Sequence, residues 1–169
     1  MHLGDHHHVR HHLFRLRFTE LNEIYFFMAL RSFALSLVVI FVPIYLYNLG
    51  YGFENILKYY ILMYLTELIF EYGTAFSIKK WGPKHLMTLS LPFLIFHLWQ
   101  LFSIEKFGWS PLAIGFSAGV SLALFWQAYH YDFSRSKHKN NATKEIGRLH
   151  IALAILGAMA PFIGGLIAT

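Results

Sequence analysis

Five stretches of about 20 apolar residues follow one another along the chain, at roughly Ile24–Tyr47, Ile56–Phe76, Leu86–Ile104, Leu112–Tyr131 and Leu149–Ala168. A helix rises about 1.5 Å per residue, so each stretch is long enough to cross a hydrocarbon layer of about 30 Å. The interruptions are short and carry turn chemistry: Asn48-Leu49-Gly50-Tyr51-Gly52, Lys79 through Lys84, Glu105 through Pro111, and the longer polar segment Arg135 to Arg148. Short connections between spanning helices make sequence neighbours antiparallel. The expected fold is therefore all-α, a polytopic transmembrane bundle occupying residues 22–169 behind a polar, His- and Arg-rich tail at residues 1–21.

Composition strengthens this reading. Apolar residues make up 56% of the chain and charged residues only 14%, a balance that a water-soluble fold of 169 residues cannot bury. The net charge of +5 does not point to nucleic acid, because the basic residues fall in clusters between the apolar runs rather than along one face. Arg10, Arg15, Arg17, Lys79, Lys80, Lys84, Arg135, Lys137, Lys139, Lys144 and Arg148 fall on one side of the expected membrane, against Lys58 and Lys106 on the other. Cytoplasmic loops accumulate Lys and Arg, so the N-terminus is expected in the cytoplasm and the protein in the cell membrane. Tyr45, Tyr47, Trp99 and Trp109 suit the outer boundary; Trp81, Trp126, Tyr129 and Tyr131 suit the inner one.

Charges inside the apolar runs are the candidate chemistry. Arg31 lies within the first run, where an unpaired charge costs about 2.5–3.5 kcal/mol on insertion scales. Glu67 and Glu71, four residues apart on one face of the second run, are its candidate partners, with Glu71 closer in depth. A salt-bridged cluster of the three admits two readings: a binding or proton-coupling site, or a fixed ion pair that orients two helices. His97 stands alone in the third run and admits the same pair of readings, function or a hydrogen bond to a neighbouring helix. The head residues His6, His7, His8, His11 and His12 suit weak transition-metal binding, or are a solvated tail or an expression remnant; no resident metal or cofactor is expected. Gly115 and Gly119 form a small-xxx-small pattern, and Gly157, Pro161, Gly164 and Gly165 mark the fifth run as a close-packing helix that Pro161 should bend.

Three segments carry a resemblance to the major facilitator superfamily of transporters. Phe41-Val42-Pro43-Ile44-Tyr45-Leu46-Tyr47-Asn48-Leu49-Gly50 is similar to that family's exit from its first helix. The segment from Ala75 to Lys84 is similar to its G-x-x-x-D-R-x-G-R-[RK] loop, with Gly82 and Lys84 in place but Ala75, Lys79 and Lys80 where the signature has glycine, aspartate and arginine. Ala160-Pro161-Phe162-Ile163-Gly164-Gly165 is close to the G-P-x-x-G-G of many exporters. The resemblance implies the first five helices of a twelve-helix secondary transporter moving a small solute by alternating access, a chain cut short that transports nothing alone and is completed by its missing C-terminal helices. It also implies a gating loop of Lys79, Lys80, Gly82 and Lys84, with Asp132 as a pairing partner, and a substrate cavity near Arg31, Gln127 and Tyr129. The competing expectation is a small, non-transporting structural or assembly subunit that packs through its glycine-rich helices. An enzyme is the least supported class: there is no cysteine nucleophile, no His-Glu-x-x-His pattern and no phosphate-cradling glycine loop.

Overall fold

A computed structural model describes residues 20–136 and 142–168, and every described element is helical. The order is α1 (Glu20–Val39), α2 (Val42–Asn48), α3 (Phe53–Trp81), α4 (Pro83–Phe102), α5 (Ile104–Phe107), α6 (Pro111–Ser136) and α7 (Ala142–Ala168). Five spans among the described residues are long and apolar enough to cross a membrane, with α1 and α2 counting together as the first. The all-α, membrane-spanning bundle expected from the apolar runs is the architecture observed.

The boundaries differ from the apolar runs in instructive ways. The first run is two helices rather than one, because Pro43 has no N–H to give the Val39 carbonyl; the chain instead turns at Ile40 and Phe41, with Phe41 N–H bonding Val38 O at 2.9 Å. The third run likewise ends early, at Phe102, and restarts as the four-residue α5. In contrast, α3 continues through Lys79 and Lys80 to Trp81, since a helix already propagated by its apolar part extends through lysine at little cost. It stops at Gly82, whose φ of 78° is open to glycine and strained for other residues, and Pro83 then starts α4. The polar segment before the fifth run is also partly helical, since α7 begins at Ala142. The helical assignment of α7 continues through Pro161.

α6 is the central helix. It packs most extensively on α3 and then on α4, while α1 packs chiefly on α7 and touches α6 only lightly. The α3–α6 contact is set by Gly115 and Gly119. A Cβ on Gly115 would lie 2.5 Å from the Tyr59 carbonyl oxygen, and one on Gly119 would collide with the Met63 carbonyl and stand 2.7 Å from Thr66 Cβ. These glycines let two backbones approach as side-chained residues could not. Gly164 does the same for α7 on α1, where a Cβ would be 2.8 Å from Leu37 O; Gly157 and Gly165 are under no such constraint.

Two apolar cores form around α6. One gathers Ile24, Met28, Ile78, Leu86, Phe125 and Phe133 near the Lys79–Lys84 end; the other gathers Leu46, Ile56, Met63, Leu101, Ile104 and Ile114 near the opposite end. At that opposite end the loops are tied by Trp109 Nε1–H donating to Ser103 Oγ (3.1 Å) and Tyr45 O–H donating to Leu101 O (3.4 Å), beside a cluster of Phe96, Trp99, Phe107 and Trp109 rings. Most other large apolar side chains are exposed, as suits helices whose surroundings are lipid.

Gly119→Ala is expected to destabilise the bundle by about 1–3 kcal/mol, because the added methyl meets backbone that cannot move aside. Gly73→Ala, where a Cβ meets nothing within 4 Å, should leave the thermal midpoint unchanged or raise it. Thermal unfolding followed by circular dichroism in detergent compares the two; equal midpoints would mean that the α3–α6 approach does not hold the bundle together.

Candidate functional site

Where α1 turns away from α3, a cavity of about 260 Å³ opens between α1, α2, α3, α4 and α6. Its apolar lining includes Leu35, Val39, Val42, Leu94, Leu98 and Leu122. Its polar lining is Arg31, the phenols of Tyr59, Tyr60 and Tyr64, Glu67, His97 and Ser121, with Trp126 at one wall. A second, smaller cavity of about 180 Å³ lies between α1, α6 and α7, and Arg31 borders both.

Arg31 is the anomaly of the site. Its side chain is only 8% exposed, and Nη1 and Nη2 are the sole buried side-chain nitrogen or oxygen atoms among the described residues without a hydrogen-bond partner. The guanidinium carbon stands 3.8 Å from the centre of the Phe125 ring. That cation–π contact contributes about 0.5–2 kcal/mol but supplies no lone pair to the N–H donors. Packing against α6 buries it, and Arg31 also lies about 12 Å along the axis from Glu23, at about 1.5 Å per residue, well inside the first span.

The expected Arg31–Glu67–Glu71 salt-bridge cluster is not formed. Glu67 shares the cavity with Arg31 without pairing to it, whereas Glu71 lies one turn further toward Trp81 and outside the lining, although it had seemed the better match in depth. The two glutamates share one helix face, and the cavity closes at the level of Glu67. Gln127 is half-buried and also outside the lining; its neighbour Trp126, about 100° around the helix, takes the place expected for it. Tyr129 is buried in the core around Phe125 and stacks on that ring.

His97 is both a packing residue and part of the wall. It is buried, stacks on Tyr59, and its Nδ1 lies 3.3 Å from the Ile114 carbonyl of α6. A carbonyl only accepts, so Nδ1 carries the proton and, in the neutral ring, Nε2 is left as an acceptor. Neighbouring α4–α6 bonds fix this wall: Ser121 O–H donates to Ser90 O at 3.0 Å, and Ser117 O–H donates to Gln100 Oε1 at 2.5 Å. Sequence reasoning overlooked the three tyrosines and Phe125. The run of Tyr59, Tyr60 and Tyr64 was the available signal, since phenols within an apolar run carry hydroxyls that need partners or a cavity.

The residues expected as a gating loop lie at the far end. Lys79 and Lys80 are exposed, Gly82 makes the turn, and Lys84 lies 3.5 Å from Glu23 of α1. Asp132 is buried and borders two clefts in common with Lys84, one of which also includes Arg135. The head histidines His6, His7, His8, His11 and His12 lie outside the described residues, and among those described no group of three metal-ligating side chains gathers.

No family model, curated protein or solved structure matches the chain. What fold and site together define is a class: a polytopic α-helical membrane protein with a small, partly polar cavity inside its bundle.

If Arg31 serves a ligand rather than the fold, its removal should not weaken the protein. Burying the cation costs about 2.5–3.5 kcal/mol, more than the Phe125 contact returns, so Arg31→Met is expected to raise thermal stability by about 1–2 kcal/mol. A lowered midpoint in detergent-solubilised protein would instead make Arg31 a structural tie between helices.

Proposed function

We propose that the chain forms the N-terminal helices of a secondary transporter, similar to the major facilitator superfamily, that moves a small solute across the cell membrane by alternating access. The observation that carries this reading is Arg31: a buried cation whose Nη1 and Nη2 have no hydrogen-bond partner, on a residue that lines a cavity within the spanning bundle. Intramembrane charges are costly, and they are retained where they serve a solute or ion pathway. Glu67 and His97, on the facing helices, line the same space, and each presents an acceptor, His97 through Nε2. The division of the helices fits movement as well. α3, α4 and α6 form one closely packed group and α1 with α7 another, and the cavity lies along the weak seam between them.

The basic residues around Lys79, Lys80, Lys84 and Arg135 support a cytoplasmic location for that end of the bundle, and with it a cytoplasmic N-terminus. The assembly-subunit alternative draws its support from small-residue motifs. Three of those glycines, Gly115, Gly119 and Gly164, are engaged by contacts within the chain, which leaves that reading little of its own.

The sequence contains no cysteine, so a single introduced thiol reports without background. Leu94→Cys and Leu98→Cys, both on the cavity wall, are expected to react with a membrane-impermeant thiosulfonate applied from either face of sealed vesicles. Reaction from one face only would contradict alternating access. In the same vesicles, Ser134→Cys should react only from the cytoplasmic face and Glu105→Cys only from the other; the reverse pattern would invert the topology.

A further inference from the structure

We infer that the cavity binds a small organic monoanion, its carboxylate held by Arg31 and its apolar body by the surrounding leucine and valine wall. This inference rests on the reading of the cavity as a solute site and names the chemistry of the solute. Arg31 Nη1 and Nη2 are buried, adjacent and unpaired. Two such donors on one guanidinium match the two oxygens of a carboxylate, a bidentate pair that is strong away from water. No other fully buried side-chain nitrogen or oxygen among the described residues lacks a partner, so Arg31 stands out as a donor whose hydrogen-bonding requirement is left for a ligand.

The rest of the lining restricts what that ligand is. Leu35, Val39, Val42, Leu94, Leu98 and Leu122 make most of the wall apolar, with Tyr59, Tyr60, Tyr64 and His97 as its polar part, so most of the molecule's body is apolar. A volume of about 260 Å³ lies below the range of about 300–1,000 Å³ typical of drug-sized ligands, so the molecule is small. Glu67 sets the charge limit. One cation and one carboxylate already line the cavity, and a second negative charge on the solute would face Glu67 in a medium that screens it poorly. Monoanions are therefore preferred over dianions of the same size. A lipid headgroup could present an anion too, but Arg31 lies well inside the span rather than at the headgroup level, which favours a soluble anion with an apolar body.

The test is isothermal titration calorimetry on the full chain in phosphatidylcholine nanodiscs, with benzoate and octanoate as probes. Benzamide serves as the neutral isostere and phthalate as the dianion. Benzoate or octanoate should bind, with benzamide and phthalate at least tenfold weaker. Arg31→Lys, which keeps the charge but loses the two-donor geometry, should weaken benzoate at least tenfold, and Arg31→Gln should abolish binding while the helical circular dichroism is kept. Glu67→Gln should bring phthalate closer to benzoate. The inference is overturned if neither monoanion binds the folded protein, if benzamide binds as well as benzoate, or if Arg31→Gln retains affinity. It is overturned in favour of a lipid if phosphatidylglycerol in the nanodisc displaces benzoate competitively. Thiol access from both faces without anion binding would sink this inference and leave the transport reading standing; anion binding with one-sided access would do the opposite.

Discussion

The approach of α6 to α3 at Gly115 and Gly119 governs most of what surrounds it. Because these backbones come within the space that a single methyl group would fill, α6 is drawn to α3 along the N-terminal halves of both, and α4 closes on its other side through Ser90–Ser121 and Gln100–Ser117. Three helices are thereby locked on one another. α1 is left with only a light contact to α6 and finds its main partner in α7, through the similar close approach at Gly164. The seam between the two groups is where packing is incomplete. In lipid there is no hydrophobic force to squeeze such a seam shut, because hydrocarbon tails are as apolar as leucine, and close packing itself has to provide the attraction. A cavity at the seam thus follows from where the small residues are.

The break between α1 and α2 contributes to the same space. Without a proline at position 43 the first span would run on as one helix; with it, the ladder is interrupted beside Val38, Val39 and Val42, which line the cavity. Freed backbone groups at such a break are tolerated where protein or a cavity receives them. Here the turn residue Phe41 satisfies one carbonyl by bonding back to Val38 O, and Tyr45 N–H reaches Phe41 O at 2.7 Å. The break therefore costs little backbone hydrogen bonding.

Much of the architecture was legible in the sequence, and the reason is physical: lipid demands about 20 apolar residues per crossing, and little in a soluble core imitates five such runs in succession. Helix ends were less legible because polar residues outside the hydrocarbon neither require nor forbid helix, so α3 runs on through Lys79–Trp81 and α7 begins at Ala142 without an apolar signal. Within the site, Arg31 was found because charge in an apolar run stands out. Its surroundings were not. Counting residues gives no azimuth, which is how Gln127 was preferred to Trp126, and does not show at what depth a cavity closes, which is how Glu71 was preferred to Glu67. Phe125 left no signal at all: among 17 phenylalanines, nothing in sequence separates the one under a guanidinium from the others.

The contrast between Arg31 and its polar neighbours is what makes a structural role for it unconvincing. Helix-borne hydroxyls in this bundle are satisfied locally at no cost to packing: Thr74 bonds Phe70 O at 2.8 Å, Thr88 bonds Lys84 O at 3.0 Å and Ser103 bonds Trp99 O at 2.7 Å. Those that cross between helices, His97 to Ile114 O and Ser121 to Ser90 O, are satisfied too. A guanidinium is harder to satisfy, with five donors and a permanent charge, and a fold that used it as a tie would bring a carboxylate to it. Glu67 is near enough to share the same cavity, yet the two remain apart. Had they paired, the gain would largely have offset the cost of burying both, and the guanidinium would have been closed to an anion. Left apart, they keep an attractive group and a repulsive one on opposite sides of one small space, which is the arrangement that selects a ligand by its charge.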